Sequence, residues 1–392
     1  MNLNFAQCEF GQEEIDAVNR VLSGTWLASG PENEAFEAEF AEYIGRKYAI
    51  AVNSGSSANL LALASLGLDK GSKVLTASCG FPATLSPILH LGLDPVLVDY
   101  DLKTHNVDLN QAASHRSDST SGRCKAAIFA HSLGNPFDIT FVAMTFGMPT
   151  IEDCCEAIGS KLNGRQVGSF GTLGTFSFYP AHQMTCEGTG GMIVTDDEDL
   201  AKLCRSMRDW GKVWDWDTKL GDNKTVYNSK IDDIDYYKHY TYETLGFNSK
   251  MSETAAAFGR VQLKKLDRIR EQRIDNYDYL NSRMSNIDEF IHVMALPKAE
   301  PSWFGYPLTL RGDKLSRKSL GDWLEQKGIR TRPFFAGNIT RHRPFRHLYV
   351  EGQFPVADKM MRDSLFIGIG QWLGKEELDY IYDQVVEWTV LQ

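Results

Sequence analysis

Three short segments carry side chains able to do chemistry together. The first, Ser177-Phe-Tyr-Pro-Ala-His182, ends on an imidazole and runs into the Gly-rich turn Glu187-Gly-Thr-Gly-Gly191. Imidazole takes up and releases a proton near neutral pH, so a histidine held in a cleft suits general acid or base work. The plainer alternative is a satisfied core histidine. The second, Asn53-Ser-Gly-Ser-Ser-Ala-Asn59, falls between a strand pattern and a helix pattern. Small residues let a ligand approach the backbone, and a helix N-terminus offers free N–H groups at the positive end of its dipole. That is a phosphate cradle, although Ser-rich N-caps are also common without any ligand. The third, Ile151-Glu-Asp-Cys-Cys-Glu156, ends a strand on Asp153. A carboxylate there sits at the C-terminal sheet edge, where α/β folds bind ligands. In isolation it would be a solvated strand end.

Elements able to position these segments follow from the periodicity. Strand patterns at 48–52, 73–75, 95–98, 125–130 and 149–151 alternate with helix patterns at 56–66, 83–91 and 137–146, and 174–178 and 191–195 add two strands. Such alternation predicts βαβ units and a mainly parallel sheet. Residues 1–32 are expected to be an N-terminal arm and 33–250 a large ligand-binding domain. Within it, 212–247 lack a clean period and are read as an irregular surface excursion. Ser252 is expected to cap a long connecting helix over 251–285, and 286–392 to form a small C-terminal α/β domain.

The 392 residues carry a net charge of −10, with 43% hydrophobic and 23% charged residues. That balance disfavours nucleic acid and anionic membranes as partners. The seven cysteines are scattered, with no C-x2-C pair, so neither a zinc site nor a disulfide framework is expected. No signal peptide or membrane-spanning segment is legible, which makes the cytoplasm the expected compartment.

Nearly the whole chain resembles the sugar aminotransferase and dehydratase branch of the aspartate-aminotransferase fold, the DegT/DnrJ/EryC1/StrS family. The strings that carry the likeness are Glu152-Asp-Cys-Cys, Ser177-Phe-Tyr-Pro-Ala-His, Arg208-Asp-Trp-Gly, His239-Tyr-Thr-Tyr-x-x-Leu-Gly and Phe335-Ala-Gly-Asn-Ile-Thr-Arg341. The resemblance implies an α/β fold of PLP fold type I and pyridoxal 5′-phosphate (PLP) as cofactor. Ser56, Ser57 and Ser177 would then hold the cofactor phosphate, and Asp153 would keep its pyridine nitrogen protonated. Glu156 would face its phenolic edge. Phe81 would stack on its ring, unless it is simply a core residue at a helix start. Asn248 matches a Gly-x-Asn motif that reaches the phosphate of a neighbouring subunit, which implies a homodimer with shared sites. Arg332, Arg341 and Arg343 would serve glutamate carboxylates or a substrate diphosphate, or else form ordinary surface pairs.

His182 stands where that family carries the lysine that binds PLP covalently. Imidazole forms no such bond, so the cofactor would be held noncovalently, as PLP or its amine form pyridoxamine phosphate (PMP). Within the branch, this histidine marks the 3-dehydratases of 3,6-dideoxysugar synthesis. The resemblance is to the CDP-4-keto-6-deoxyglucose 3-dehydrase type, but that type holds an iron–sulfur cluster just after Asp-Trp-Gly. Here Trp214 and Trp216 replace the expected cysteines, and no cysteine follows Cys204. A cluster needs about four thiolates, so no metal and no reductase partner are expected. The implied activity is therefore that of the iron-free GDP-linked type, a C3 dehydratase of a CDP- or GDP-linked 4-keto-6-deoxyhexose recharged by L-glutamate. The alternatives are an NDP-4-ketosugar aminotransferase and a non-catalytic protein that binds sugar nucleotide or PLP.

Overall fold

The computed structural model describes residues 1–115, 123–214, 229–312 and 314–392. At its centre is a seven-stranded sheet. In chain order its strands are β1 (Tyr48–Val52), β2 (Lys73–Ala77), β3 (Asp94–Val98), β4 (Ala126–Ala130), β5 (Thr150–Asp153), β6 (Leu173–Ser177) and β7 (Gly191–Thr195). Their spatial order is β1-β7-β6-β5-β4-β2-β3. Only β7 runs against its neighbours; the β6-β5, β5-β4, β4-β2 and β2-β3 pairs are parallel. The expected mainly parallel sheet is therefore present. Because β1, β2, β5 and β6 point the same way, the segments following them share one edge. That edge gathers residues 53–57, 78–84, 153–156 and 177–182.

Sheet residues such as Ile50, Ile128, Ile151 and Ile193 are fully buried on one face, and Ala51, Phe176, Met192 and Val194 on the other. Strands buried on both faces read as continuous apolar runs, which is how these appear in the sequence. A second, four-stranded antiparallel sheet combines Phe290–Ile291, Gly305–Leu310, Ser364–Gly368 and Thr331–Pro333 in that spatial order. Helices Arg317–Gln326 and Lys375–Val390 pack with it around a core that includes Leu308, Leu320, Ile367, Ile381 and Trp388. The long helix Glu253–Met284 joins the two parts. Its N-cap Ser252 accepts a hydrogen bond from the Ala255 N–H, as the sequence implied.

The N-terminal arm is more ordered than its sequence suggested, since it contains a helix, Gln12–Leu22, lying on the long helix. Glu14, fully buried, accepts from Gln262 and Lys265 there, which offsets the desolvation of its carboxylate. The excursion at 212–247 also holds regular structure, a hairpin of Ser229–Ile231 and Ile234–Tyr236. Its stretch 215–228, including Trp216, lies outside the described residues. No helix among the described residues is long and apolar enough to cross a membrane.

A buried charge cluster fastens helices Pro31–Ile44 and Glu198–Arg208 to β1. Glu37 accepts from Arg205 at 2.9 Å, from Arg208 at 2.6 Å and from the Ala51 N–H at 2.9 Å. Replacing Glu37 by Gln removes the negative charge that two buried guanidinium groups face. The expected loss is on the order of 3–5 kcal/mol, read as a lower urea midpoint at unchanged slope.

Candidate active site

Asp153, the last residue of β5, is 5% exposed and held by three hydrogen bonds. Its Oδ2 accepts from Asn59 Nδ2 at 2.8 Å and from Thr84 Oγ1 at 2.7 Å, and its Oδ1 accepts from the Cys155 N–H at 3.1 Å. Asn59 is itself oriented by Thr175 Oγ1, which donates to its Oδ1 at 2.5 Å. A carboxylate with this many donors is fixed in direction, and its remaining lone pair is left for a cationic N–H.

The cradle lies beside it. Ser54 caps helix Gly55–Ala64 by accepting from the Ser57 N–H, and Ser57 Oγ donates to Asn53 at 2.7 Å. A methyl group on Gly55 would lie 2.5 Å from Ser177 Cβ and 2.9 Å from Cys155 Sγ. Only glycine lets the helix start approach so closely. The contact brings Ser56, Ser57 and Ser177 to one place beside first-turn N–H groups that have no partner within the helix. A small anion such as a phosphate fits these donors.

Phe81 precedes helix Pro82–His90, whose Thr84 holds Asp153. Phe81 is 57% exposed, which excludes the core-residue alternative. Glu156 is half-buried, and its Oε2 accepts from the Leu133 N–H at 3.0 Å. Burial pushes its carboxyl up to about 8 against the pull of that N–H, and the charge of Asp153 adds to the rise. From the ordinary value of 4.5 up to about 8, the folded chain holds a proton that the unfolded chain releases. Stability therefore falls as pH rises through that window. In cofactor-free protein, Glu156→Gln is expected to remove this slope. Its melting temperature relative to the parent should climb between pH 5 and 8.

His182 sits on the turn after β6. Its ring packs against Phe304 at 5.3 Å between centroids, and its Nδ1 is buried with no hydrogen-bond partner among the described residues. Burial, and then the charge of Arg273, push the imidazole down to about 3. It is therefore neutral at physiological pH, which is the form that accepts a proton. A satisfied core histidine would have its ring nitrogens paired, so the plain alternative does not describe it.

The remaining expected residues are less closely tied. Asn248 is exposed and bridges to Asp209 through the backbone; its side chain makes no hydrogen bond to the cradle of its own chain among the described residues. Arg332 lies over the Phe5 ring at 4.8 Å, and Phe5 touches Phe304, the residue packed on His182. Arg341 is held by Asp358, with Nη2–Oδ2 at 2.6 Å, and stands over Tyr349, so it is the surface pair that the sequence left open. Arg343 starts a short 3-10 helix on the same loop, which docks on the Phe81 segment through Ala336 N to Gly80 O and Ile339 N to Ser78 O.

Sequence reasoning did not pick out Asn59, Thr84 and Thr175, which orient Asp153, or Gln183, Arg273 and Phe304, which surround His182. The buried group His131, Glu152 and Cys154 has donors of metal-ligand type, but it is internally satisfied. Glu152 accepts from His131 and from the Gly168, Phe170 and Gly171 N–H groups, while His131 Nδ1 accepts from the Phe137 N–H. Its role is to pin a turn.

Known proteins resemble this chain along nearly its whole length. Residues 9–386 match the DegT/DnrJ/EryC1/StrS aminotransferase family. The chain is 37% identical to the lipopolysaccharide biosynthesis protein RfbH of Salmonella typhimurium, over 96% of this chain and 89% of that protein. It is 35% identical to the dTDP-4-dehydro-2,6-dideoxy-D-glucose 3-dehydratase of Saccharopolyspora spinosa, over 93% and 81%. A crystal structure of GDP-4-keto-6-deoxymannose-3-dehydratase with a trapped PLP-glutamate geminal diamine superposes with a TM-score of 0.86 at 28% identity. It covers 98% of this chain and 100% of that one.

Proposed function

The chain belongs to the DegT/DnrJ/EryC1/StrS aminotransferase family, and we propose that within it the protein is an iron-free, PLP-dependent 3-dehydratase of a nucleotide-linked 4-keto-6-deoxyhexose. The observation that carries this reading is His182. It follows Ser177 on the turn after β6, on the sheet edge that also carries Asp153, and no lysine lies anywhere in residues 170–191. The described residues fit PLP as a noncovalent guest. Ser56, Ser57, Ser177 and the helix start would hold its phosphate, Asp153 would bind its pyridinium N–H, and Phe81 would cover its ring. Asn248 would reach the phosphate of a second subunit, giving a homodimer with shared sites.

Bound there, the cofactor would supply an amine carrier and an electron sink. Asp153 keeps that sink effective by stabilising the protonated ring nitrogen. Neutral His182 takes a proton from carbon and returns one to the C3 hydroxyl oxygen as it leaves. One group serves both steps because imidazole is competent in both directions. The half-buried pocket and the Phe304 wall limit water around that proton. The net reaction consumes L-glutamate and releases 2-oxoglutarate, ammonia and the 4-keto-3,6-dideoxysugar nucleotide. Glutamate as amine donor is supported by the adduct trapped in the GDP-linked relative. The dehydration is supported by the naming of the dTDP-linked one. These relatives differ in nucleotide, so the nucleotide is a variable of the test. Arg332 and Arg343 are candidates for the diphosphate. Such a substrate suits the cytoplasm.

The deciding experiment is a stepwise titration of purified protein with PLP, L-glutamate and then CDP-, GDP- and dTDP-linked 4-keto-6-deoxyhexoses. Glutamate should yield 2-oxoglutarate, ammonia should appear only after sugar is added, and iron should be absent from active protein. An amino-sugar product would make the protein an aminotransferase. Binding without turnover would make it a sugar-nucleotide receptor.

A further inference from the structure

Arg273 is 1% exposed, near the middle of the long helix Glu253–Met284. Among the described residues it pairs with no carboxylate. A buried guanidinium without a counter-ion is costly, so its surroundings need an explanation. Its Nη1 donates to the Trp303 carbonyl at 3.1 Å and the Phe304 carbonyl at 3.3 Å, and its guanidinium stands 5.8 Å from the Trp372 ring. One helical turn on, Tyr277 stacks on Trp303 at 3.8 Å and 6°. The segment it grips leads into strand Gly305–Leu310 of the small sheet and is hydrogen-bonded to the large-sheet side. Gln183, next to His182, donates to the Ser302 carbonyl at 2.8 Å and to the Glu156 carbonyl at 2.7 Å. The Phe304 N–H donates to Leu133 O, and the Phe304 ring rests on His182.

We propose that Arg273 is the positioning residue behind His182: pinned to the Trp303 and Phe304 carbonyls, it holds Phe304 against the imidazole and sets a fixed cation behind that wall. The proposal rests on the acid–base role of His182 argued above. The electrostatics have the required sign. Burial pulls Arg273 down to about 10, so it remains charged at physiological pH. A fixed cation disfavours a second cation nearby. Other ionisable groups around His182 are Tyr179 on its own turn, Asp153 and Glu156 on the turn gripped through Gln183, and Cys8, whose thiol meets the Pro180 carbonyl. Of all these, Arg273 is the charged group that acts on the imidazole alongside burial.

The test is a histidine titration by NMR on ring-labelled, cofactor-free protein, with the His182 signal identified by its absence from His182→Asn. In the unmodified protein this ring should stay neutral down to pH 5. Arg273→Met, which keeps length and removes charge, should let it titrate at least one pH unit higher than the parent ring. Arg273→Lys, which keeps the charge, should preserve the neutral ring. If Arg273→Met does not fold, Arg273→Gln takes its place, since its amide can still donate to a carbonyl. An ordinary His182 titration near 6.5 in the unmodified protein would overturn the proposal. So would equal behaviour of the Lys and Met variants. In sugar turnover, the acid limb of kcat/KM should move to higher pH in Arg273→Met and not in Arg273→Lys. Because the NMR readout needs no substrate, failure of the dehydratase reading and failure of this proposal are separable.

Discussion

His182→Asn is expected to fold, to bind PLP as the parent does, and to lose sugar turnover by about three orders of magnitude. General acid–base catalysis by a placed side chain is worth about 10²–10⁴-fold, and about 4 kcal/mol corresponds to a thousandfold in rate. Asparagine keeps a planar polar group against Phe304 but carries no proton between atoms. Both the glutamate half of the cycle and the elimination need a proton moved at carbon, so both should slow together in stopped-flow single turnovers. Unchanged cofactor affinity would show that the loss is chemical and not structural. The contrasting His182→Lys variant supplies an amine that can bond to the PLP aldehyde. An absorbance shift on adding PLP, resistant to gel filtration, is expected, with dehydration still low. If His182→Asn retained more than a tenth of the parent rate, the proton carrier would have to be another group, with half-buried Glu156 the first to examine.

How much of this was legible from sequence depends on the range of the interactions. The parallel strands appeared as apolar runs because both sheet faces are covered. Local capping was equally plain. Ser252 caps helix Glu253–Met284 by accepting from the Ala255 N–H, as the sequence implied. The candidate residues Ser56, Ser57, Asp153, Ser177 and His182 were found because each sits at a strand end or helix start, where the chemistry is written in a few adjacent letters. What stayed hidden is long-range. Asn59 and Thr84 bind Asp153 across 94 and 69 residues, and no local pattern marks either as a partner. The helix Gln12–Leu22 buries few apolar side chains, and its attachment through Glu14 to Lys265 spans 251 residues. Arg273 looked like any charged residue on a long helix. Only packing shows that it faces inward, with no acid paired to it among the described residues.

Asp153→Asn is the second change expected to be severe, and for a different reason. The parent carboxylate accepts from Asn59, Thr84 and the Cys155 N–H, and only acceptor atoms face those donors. An amide brings two donors of its own. With its oxygen turned to Asn59 and Thr84, its NH2 meets both the Cys155 N–H and the protonated ring nitrogen expected there, donor against donor. With the oxygen turned the other way, Asn59 and Thr84 lose their acceptor. Either arrangement leaves buried polar groups unpaired, and removes a hydrogen bond to a charged group worth about 1.5–3 kcal/mol. PLP affinity should therefore fall roughly 10- to 100-fold, that energy expressed as a dissociation constant. Turnover at saturating cofactor should fall further, because an unprotonated ring is a poor electron sink. The two effects are distinguishable by titrating PLP and then assaying at saturation. Weakened binding with a parent-like saturated rate would confine Asp153 to anchoring. Parent-like binding with a depressed rate would confine it to tuning the ring. The geometry predicts both losses together, since the same oxygen that would anchor the ring nitrogen would also keep it protonated.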